Sequence, residues 1–135
     1  MSNESRKTRG MKAQVLAAAF LRPIFPWVNT VSGAAPGRDL RNTPGLAVEV
    51  KARRDFEPLA WLKQSDRNSD SDEMPIVVWQ PDGYGPASMA KWPYMGYLGD
   101  FRRWWHEFQM LREYVQDKDP NAYREILIAL GDLGE

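Results

Sequence analysis

The stretch that decides the fold is GRDLRNTPGLAVEVKAR, residues 37–53, in which an aspartate precedes a strand-like segment that contains charged residues. Apolar residues occupy every second position from Leu46 to Val50, so Glu49 and Lys51 share the opposite face of a predicted strand. Removing a charge from water costs several kcal/mol unless a partner offsets it. Two charges in so apolar a strand therefore need an explanation.

Asp39 supplies one. We predict that residues 39–41 begin a strand that turns at Asn42–Gly45 and pairs with the next strand as a hairpin, which brings Asp39 to the face of Glu49 and Lys51. Two carboxylates beside an ammonium suit Mg²⁺, which polarises a phosphodiester and lowers the pKa of a bound water. The lysine would orient that water or neutralise developing charge, so the pattern indicates nucleic-acid cleavage. The alternative is a Glu–Lys pair on a solvated strand, with Asp39 as an ordinary turn residue.

The rest of the chain carries alternating helix and strand signals. The predicted order, by residue numbers, is a flexible basic tail (1–8), a helix (9–21), a strand (27–31), a loop (32–37), the hairpin strands (39–41 and 46–52), a helix (58–68), a strand (75–80), an edge strand (92–97) and two helices capped by Asp100 and Asp119. This order predicts an α/β layer structure in which helices flank a small mixed sheet.

Composition and charge narrow the setting. The 135 residues contain no cysteine, which excludes disulfides and favours a reducing compartment. The longest apolar stretch, Ala13–Leu21, is too short to span a bilayer, and we read no signal peptide, so we expect a cytoplasmic protein without a membrane partner. Residues 1–67 carry 12 Lys/Arg against 6 Asp/Glu, and residues 68–135 carry 6 against 12. The basic half indicates a polyanionic partner or, alternatively, ordinary fluctuation of surface charge.

Asp39 followed by Glu49-Val50-Lys51 resembles the signature of the PD-(D/E)XK nuclease superfamily. Further motifs are similar to those of archaeal and phage Holliday-junction resolvases, namely Arg9-Gly10 ahead of Gln14, Ser32-Gly33, PGLAVEVKAR (44–53), WLKQ (61–64) and PIVVWQPDGYGP (75–86). The resemblance covers residues 9–92. It implies a restriction-endonuclease-like core of helix, three-strand β-meander, helix and strand within residues 9–98, and leaves residues 99–135 as C-terminal helices of the same domain that offer a dimer interface.

The resemblance also implies roles for single residues. Asp39, Glu49 and Val50 would bind Mg²⁺, for which Mn²⁺ would substitute, and Lys51 would assist the attack on phosphate. Gln64 lies near the position at which several nucleases of the superfamily hold the attacking water or a phosphate. An exposed helix glutamine is the alternative for Gln64.

Gln14 departs from the archaeal pattern, which has an acidic residue on the first helix. A neutral amide adds no charge for a second metal ion, so a weaker enzyme or a degenerate site remains an alternative. Ser32 resembles a loop serine that contacts DNA, although turn chemistry explains it equally. The residues predicted to bind nucleic acid are Arg9, Lys12, Ser32, Arg38, Arg53, Arg54 and Lys63.

Together these features predict a metal-dependent, structure-selective DNA endonuclease, in the first place a Holliday-junction resolvase that nicks opposed strands of a four-way junction. Because such a junction has approximate two-fold symmetry, we expect a C2 homodimer. The alternatives are another PD-(D/E)XK nuclease, restriction-like or nicking, and a non-catalytic DNA-binding or assembly module. A phage-encoded protein of this kind would act in the host cytoplasm.

Overall fold

The computed structural model describes residues 6–31 and 37–131, and the chain divides after Tyr97 into two units. The first unit contains α1 (Arg6–Leu21), β1 (Asn29–Thr30), β2 (Leu40–Arg41), β3 (Leu46–Lys51), α2 (Pro58–Arg67), β4 (Met74–Trp79), a 3-10 helix (Pro86–Lys91) and β5 (Tyr94–Gly96). The second contains α3 (Leu98–Lys118) and α4 (Pro120–Gly131). The predicted mixed α/β structure with a small mixed sheet is confirmed.

The main sheet has the strand order β3-β4-β5. β3 and β4 run parallel, with Glu49 opposite Val77, whereas β4 and β5 run antiparallel. Parallel neighbours need a crossover connection, and α2 provides it. Val77 of β4 is fully buried, as is usual for a strand in a parallel pair. The predicted edge strand is also present, directly after Pro93.

Helices cover both faces of the β3–β4 pair. On one face, small residues of α1, Ala13, Ala17 and Ala18, share a buried cluster with Val48 and Val50 of β3. Alanines allow the helix to approach the sheet closely. On the other face, Trp61 and Leu62 of α2 cluster with Val77 of β4. The strand that carries Glu49 and Lys51 is therefore placed between two helical layers.

The predicted hairpin around Asn42–Gly45 is wrong in its pairing. β2 pairs antiparallel with β1, whereas β3 pairs with β4. Asn42 adopts a left-handed conformation with φ of 61°, and its side-chain amide donates a 2.9 Å hydrogen bond to the carbonyl of Trp27, which fastens the turn to the segment before β1. The expected three-strand meander is thus divided between two ladders. The link from β2 to β3 is made instead by a side chain, that of Asp39.

Helix starts follow the sequence signals in α2 and α4 but not in α1 and α3, whereas α1 ends at Leu21 as predicted. Pro58 is the first residue of α2, and Asp119 caps α4, since its Oδ1 accepts a 3.0 Å hydrogen bond from the N–H of Ala122. Pro120 then begins α4, as predicted. α3, however, begins at Leu98, which leaves the predicted cap Asp100 in its first turn. α1 begins at Arg6, so residues 6–8, assigned to the flexible tail, are helical.

The second unit is a helical pair. The guanidinium of Arg112 on α3 donates a 2.6 Å hydrogen bond to the hydroxyl of Tyr123 on α4 and lies over its ring. Four aromatic residues of α3 contact one another, namely Phe101, Trp104, Trp105 and Phe108. In neither described range, 6–31 or 37–131, is any helix long and apolar enough to cross a membrane.

Candidate active site

Asp39 is joined to β3 through its side chain. Its Oδ2 accepts a 2.7 Å hydrogen bond from the backbone N–H of Val50. Because β3 is an edge of the three-strand sheet, N–H groups on its open side need an acceptor from outside that sheet. Leu40, the next residue after Asp39, is fully buried and fixes the position of this segment. The aspartate is therefore held against the segment that contains Glu49 and Lys51.

Glu49 and Lys51 face α2. Glu49 is 2% exposed, and its Oε1 lies 3.4 Å from Nζ of Lys51. The same Nζ donates a 2.8 Å hydrogen bond to Oε1 of Gln64 on α2. Ser65 donates its hydroxyl to the carbonyl of Ala47 at 2.9 Å, which fastens α2 to β3 one residue beyond Gln64. The glutamine is therefore positioned beside the lysine by the packing of its helix.

Sequence reasoning missed Ser65, although it is 1% exposed and anchors this part of the site. Its hydroxyl also lies 3.1 Å from the carbonyl of Ile76 on β4, so it connects α2 to both parallel strands. The available signal was a small polar residue on the apolar face of a predicted helix, one helical turn after Trp61 and Leu62. Such a residue needs backbone acceptors when it is buried.

The carboxyl groups of Asp39 and Glu49 affect each other's protonation. Burial, followed by the negative charge of Asp39, raises the pKa of Glu49 from 4.5 to about 7 against the opposing effect of Lys51. Burial also raises the pKa of Asp39, while the hydrogen bond from Val50 and the charge of Lys51 oppose that change. The charge of Asp39 thus disfavours ionisation of Glu49, which holds a proton more readily than a free glutamate does.

This pair fits a hard divalent cation. Oε2 of Glu49 is buried and has no hydrogen-bond partner among the described residues. An unpaired carboxylate oxygen in such a place is costly, and a bound cation would satisfy it. No three His, Cys, Asp or Glu side chains gather within residues 6–31 and 37–131. A metal ion here would therefore take the remainder of its ligands from backbone carbonyls, such as that of Val50, and from water.

Gln14 lies outside this network of contacts. Gln14 is half-buried on α1, next to the fully buried Ala13. Among the hydrogen bonds of the described residues that join Asp39, Glu49 and Lys51 to their neighbours, none involves Gln14. Ser32 lies outside the described residues. The structure thus brings Asp39, Glu49, Lys51 and Gln64 together and leaves Gln14 apart from their contacts.

The cations predicted to bind DNA have different surroundings. Arg53, Arg54 and Lys63 are exposed, and Arg54 pairs with Asp82 at 2.8 Å. Arg38 is already engaged, because its guanidinium binds the carboxylate of Glu73 and donates a 3.0 Å hydrogen bond to the carbonyl of Asn68. The hydrogen bond from Arg38 lowers the pKa of Glu73.

Arg9 and Lys12 lie on the first turns of α1, where Arg9 is half-buried and Lys12 exposed.

Comparison of the chain with known protein families, with characterised proteins and with solved structures gave no match. The functional assignment accordingly depends on the geometry of the site itself.

Proposed function

We propose that this protein is a metal-dependent, structure-selective DNA endonuclease, a Holliday-junction resolvase of the PD-(D/E)XK type that acts as a homodimer. One observation carries the proposal. The Asp39 carboxylate is bound at the N–H of Val50, the neighbour in sequence of the buried Glu49, whose Oε1 lies 3.4 Å from the ammonium of Lys51. A buried carboxyl group (Glu49) and a half-buried one (Asp39), both with a raised pKa and both near one lysine, favour chemistry more than folding stability, because each carboxylate would be more stable in water.

Each of these residues has a chemical role in phosphodiester hydrolysis. Asp39, Glu49 and the Val50 carbonyl are the groups that would hold Mg²⁺ or Mn²⁺, and the bound ion supplies Lewis acidity toward phosphate together with a more acidic water. Lys51 stabilises the negative charge that develops on the phosphate oxygens. Gln64, through its 2.8 Å contact, holds the lysine ammonium in one direction.

The layered core supports a restriction-endonuclease-like architecture. In that arrangement, the Glu-x-Lys strand lies between a first helix and a crossover helix, and the aspartate precedes it in the chain. Here α1 covers one face of β3 and α2 covers the other, and Asp39 precedes β3. The exposed Arg53 and Arg54 follow directly at the end of the strand, where they are available to phosphates.

The aromatic residues of α3 support the homodimer. Phe101, Trp104, Trp105 and Phe108 are between 38% and 47% exposed, and no residue of α3 is buried. Contiguous aromatic surface of this kind commonly marks a protein interface. A second copy is the partner that fits the proposed substrate, because a four-way junction presents two equivalent strands to a two-fold pair of sites.

Two alternatives differ from this proposal in substrate or in chemistry. Another nuclease of the same superfamily would use the same residues on linear duplex. A non-catalytic DNA-binding or assembly module is favoured by Gln14, which brings no charge and makes none of the described site contacts. In that case a protonated Glu49 would be the resting state of a degenerate site.

A cleavage assay separates these possibilities. Labelled four-way junctions and linear duplexes of the same sequence are incubated with the protein in Mg²⁺, in Mn²⁺ and in EDTA. We expect paired nicks on opposed junction strands only in the presence of a divalent ion. Equal cutting of the duplex would indicate a different nuclease, and binding without cutting in either metal would overturn the enzymatic proposal.

A further inference from the structure

The first unit contains a cavity of about 410 Å³ between the first turns of α1 and the loop formed by residues 80–86. Its volume falls within the range of pockets that hold small ligands. The wall residues that bear on its chemistry are Arg9, Lys12, Ala52, Gln80, Asp82 and Tyr84.

The α1 side of the cavity is cationic. Nε of Arg9 is buried and has no hydrogen-bond partner among the described residues. Lys12 follows three residues later, on the same side of the helix. Asp82 is the acidic residue of the wall, and its charge is offset by Arg54 at 2.8 Å. This Nε is itself shielded from the cavity, but an arginine and a lysine in one wall favour an anionic ligand, and a phosphate provides several oxygens for their other N–H groups.

The loop side of the cavity is aromatic and polar. Tyr84 is 41% exposed, so part of its ring is available for contact. Gln80 donates a 2.6 Å hydrogen bond from Nε2 to the backbone carbonyl of Tyr84, which fixes the amide and leaves its Oε1 as an acceptor. A ring face beside an oriented amide suits a nucleobase, which stacks on aromatic side chains and forms hydrogen bonds at its edge.

The cavity is connected to the proposed active site by the backbone. Ala52, in its wall, directly follows Lys51, and the N–H of Gln80 donates a 2.7 Å hydrogen bond to the carbonyl of Lys51. A group bound in the cavity would therefore lie at the end of the strand that carries Glu49 and Lys51. Sequence alone does not reveal this juxtaposition, because Arg9 and Tyr84 are far apart in the chain.

We propose that this cavity binds one unstacked nucleotide of the DNA substrate, with its phosphate at Arg9 and its base against Tyr84. The assignment of that nucleotide to DNA rests on the proposed nuclease function. The same chemistry is offered by a free mononucleotide, so the test has separate arms for a nucleotide within DNA and for dAMP.

The test compares the affinity of the protein for a duplex with one unpaired nucleotide and for the same duplex fully paired, both in EDTA so that no cleavage occurs. Stacking of one base on an aromatic side chain is worth about tenfold in affinity, and we expect that preference for the unpaired nucleotide. Tyr84→Leu should abolish the preference and leave binding to paired duplex unchanged, whereas Tyr84→Phe should retain it. Tyr94→Leu, which changes a more exposed tyrosine outside the cavity wall, is the matched control.

The outcomes are distinct. Equal affinity of the wild type for the two duplexes, or an equal effect of Tyr84→Leu on both, overturns the proposal. Binding of dAMP that is lost in Tyr84→Leu, without any preference in DNA, assigns the cavity to a free nucleotide and overturns the DNA source. Cleavage in Mg²⁺ is scored separately on the same duplexes. If the protein prefers the unpaired nucleotide through Tyr84 but cuts no DNA, the cavity assignment stands and the nuclease proposal is refuted. If the protein cuts DNA but shows no such preference, the nuclease proposal stands and the cavity assignment is refuted.

Discussion

Lys51 and Gln64 are joined by a 2.8 Å hydrogen bond between a strand and the helix that covers it, with the two residues 13 positions apart in the chain. The contact gives the lysine two neighbours, since Glu49 lies 3.4 Å from the same Nζ. A lysine held in this way loses little further freedom when it stabilises charge in a transition state. Its direction is set by the packing of α2 before any substrate arrives.

This contact predicts that Lys51 and Gln64 act as one unit in cleavage. Lys51→Ala should lower the single-turnover rate on the order of a hundredfold, because it removes the charge itself. Gln64→Met removes only the acceptor and should cost about tenfold. The double variant should be no slower than Lys51→Ala, since the glutamine acts through the lysine. Additive losses, or a change in the Mg²⁺ concentration needed for half-maximal rate in Lys51→Ala, would contradict these roles.

Glu49→Gln tests the metal site most directly. The change preserves size and hydrogen bonding but removes the charge that would hold the ion, so cleavage should fall on the order of a hundredfold or more. Asp39→Asn should behave alike, because its amide oxygen still accepts from the N–H of Val50 while the charge is lost. Junction affinity should persist in both variants. The control is Glu57→Gln, an exposed glutamate whose side chain makes no capping hydrogen bond. Unchanged cleavage by Glu49→Gln would remove the basis of the proposed site.

The raised pKa of Glu49 predicts a specific pH dependence of stability in the metal-free protein. With a folded pKa of about 7 against 4.5, the folded state retains a proton that the unfolded chain releases between these values. Stability is therefore greatest below pH 4.5 as far as Glu49 is concerned, and it declines as the pH rises to 7, in total by about 3 kcal/mol. Glu49→Gln should remove this decline, so its advantage over the wild type in urea unfolding should grow from pH 5 to pH 8.

Addition of Mg²⁺ provides the complementary measurement. A cation that binds Glu49 competes with the proton on that carboxyl group, and this competition weakens as the pH rises. Mg²⁺ should therefore stabilise the wild type more at pH 8 than at pH 5. It should have little effect on Glu49→Gln. Stabilisation of equal size in both proteins would locate the binding of Mg²⁺ elsewhere.

The parts of this fold that the sequence predicts are those with local causes. Glu49 and Lys51 share a face because side chains alternate along a strand, and Asp119 caps α4 because its carboxylate reaches a free N–H three residues ahead. The partner of β2 has no such local cause. It follows from the left-handed Asn42 and its bond to Trp27, 15 residues earlier, so the hairpin inferred from chain proximity is wrong.

The site shows the same division. Asp39 reaches β3 without pairing its strand to it, because a carboxylate replaces the missing ladder acceptor at Val50. The sequence motif indicates which groups meet but not that a side chain links them. The partner of Arg38 is more distant along the chain, since Glu73 follows it by 35 residues. Long-range ion pairs of this kind leave no periodic signal in a single sequence.

Arg53 and Arg54 predict how the protein contacts DNA. Both are exposed, and the pair of Arg54 with Asp82 is exposed on both sides, so it costs little to exchange for a phosphate. Reversal of both charges should weaken binding to junction and duplex alike and should reduce the salt dependence of log K by roughly 0.9 for each phosphate that the variant no longer neutralises. Reversal of Lys91 and Arg124, which lie outside the predicted DNA-binding set, is the control. An unaltered salt slope in the Arg53/Arg54 variant would place the DNA on a different surface.

The aromatic surface of α3 predicts the assembly and, through it, the pattern of cleavage. Trp104→Ser combined with Phe108→Ser removes two half-exposed rings from that surface, so the variant should sediment as a 15.5 kDa chain where the wild type sediments at twice that mass. Met110→Ser changes an exposed apolar residue that helical spacing puts on another side of α3, and it should leave the mass unchanged. The monomeric variant retains Asp39, Glu49 and Lys51, so it should still nick one junction strand, but the second nick should become slow and independent of the first. Wild-type protein that sediments only as a single chain, with and without junction DNA, would exclude the homodimer, and paired nicks from such a monomer would exclude two-fold symmetry as the source of junction selectivity.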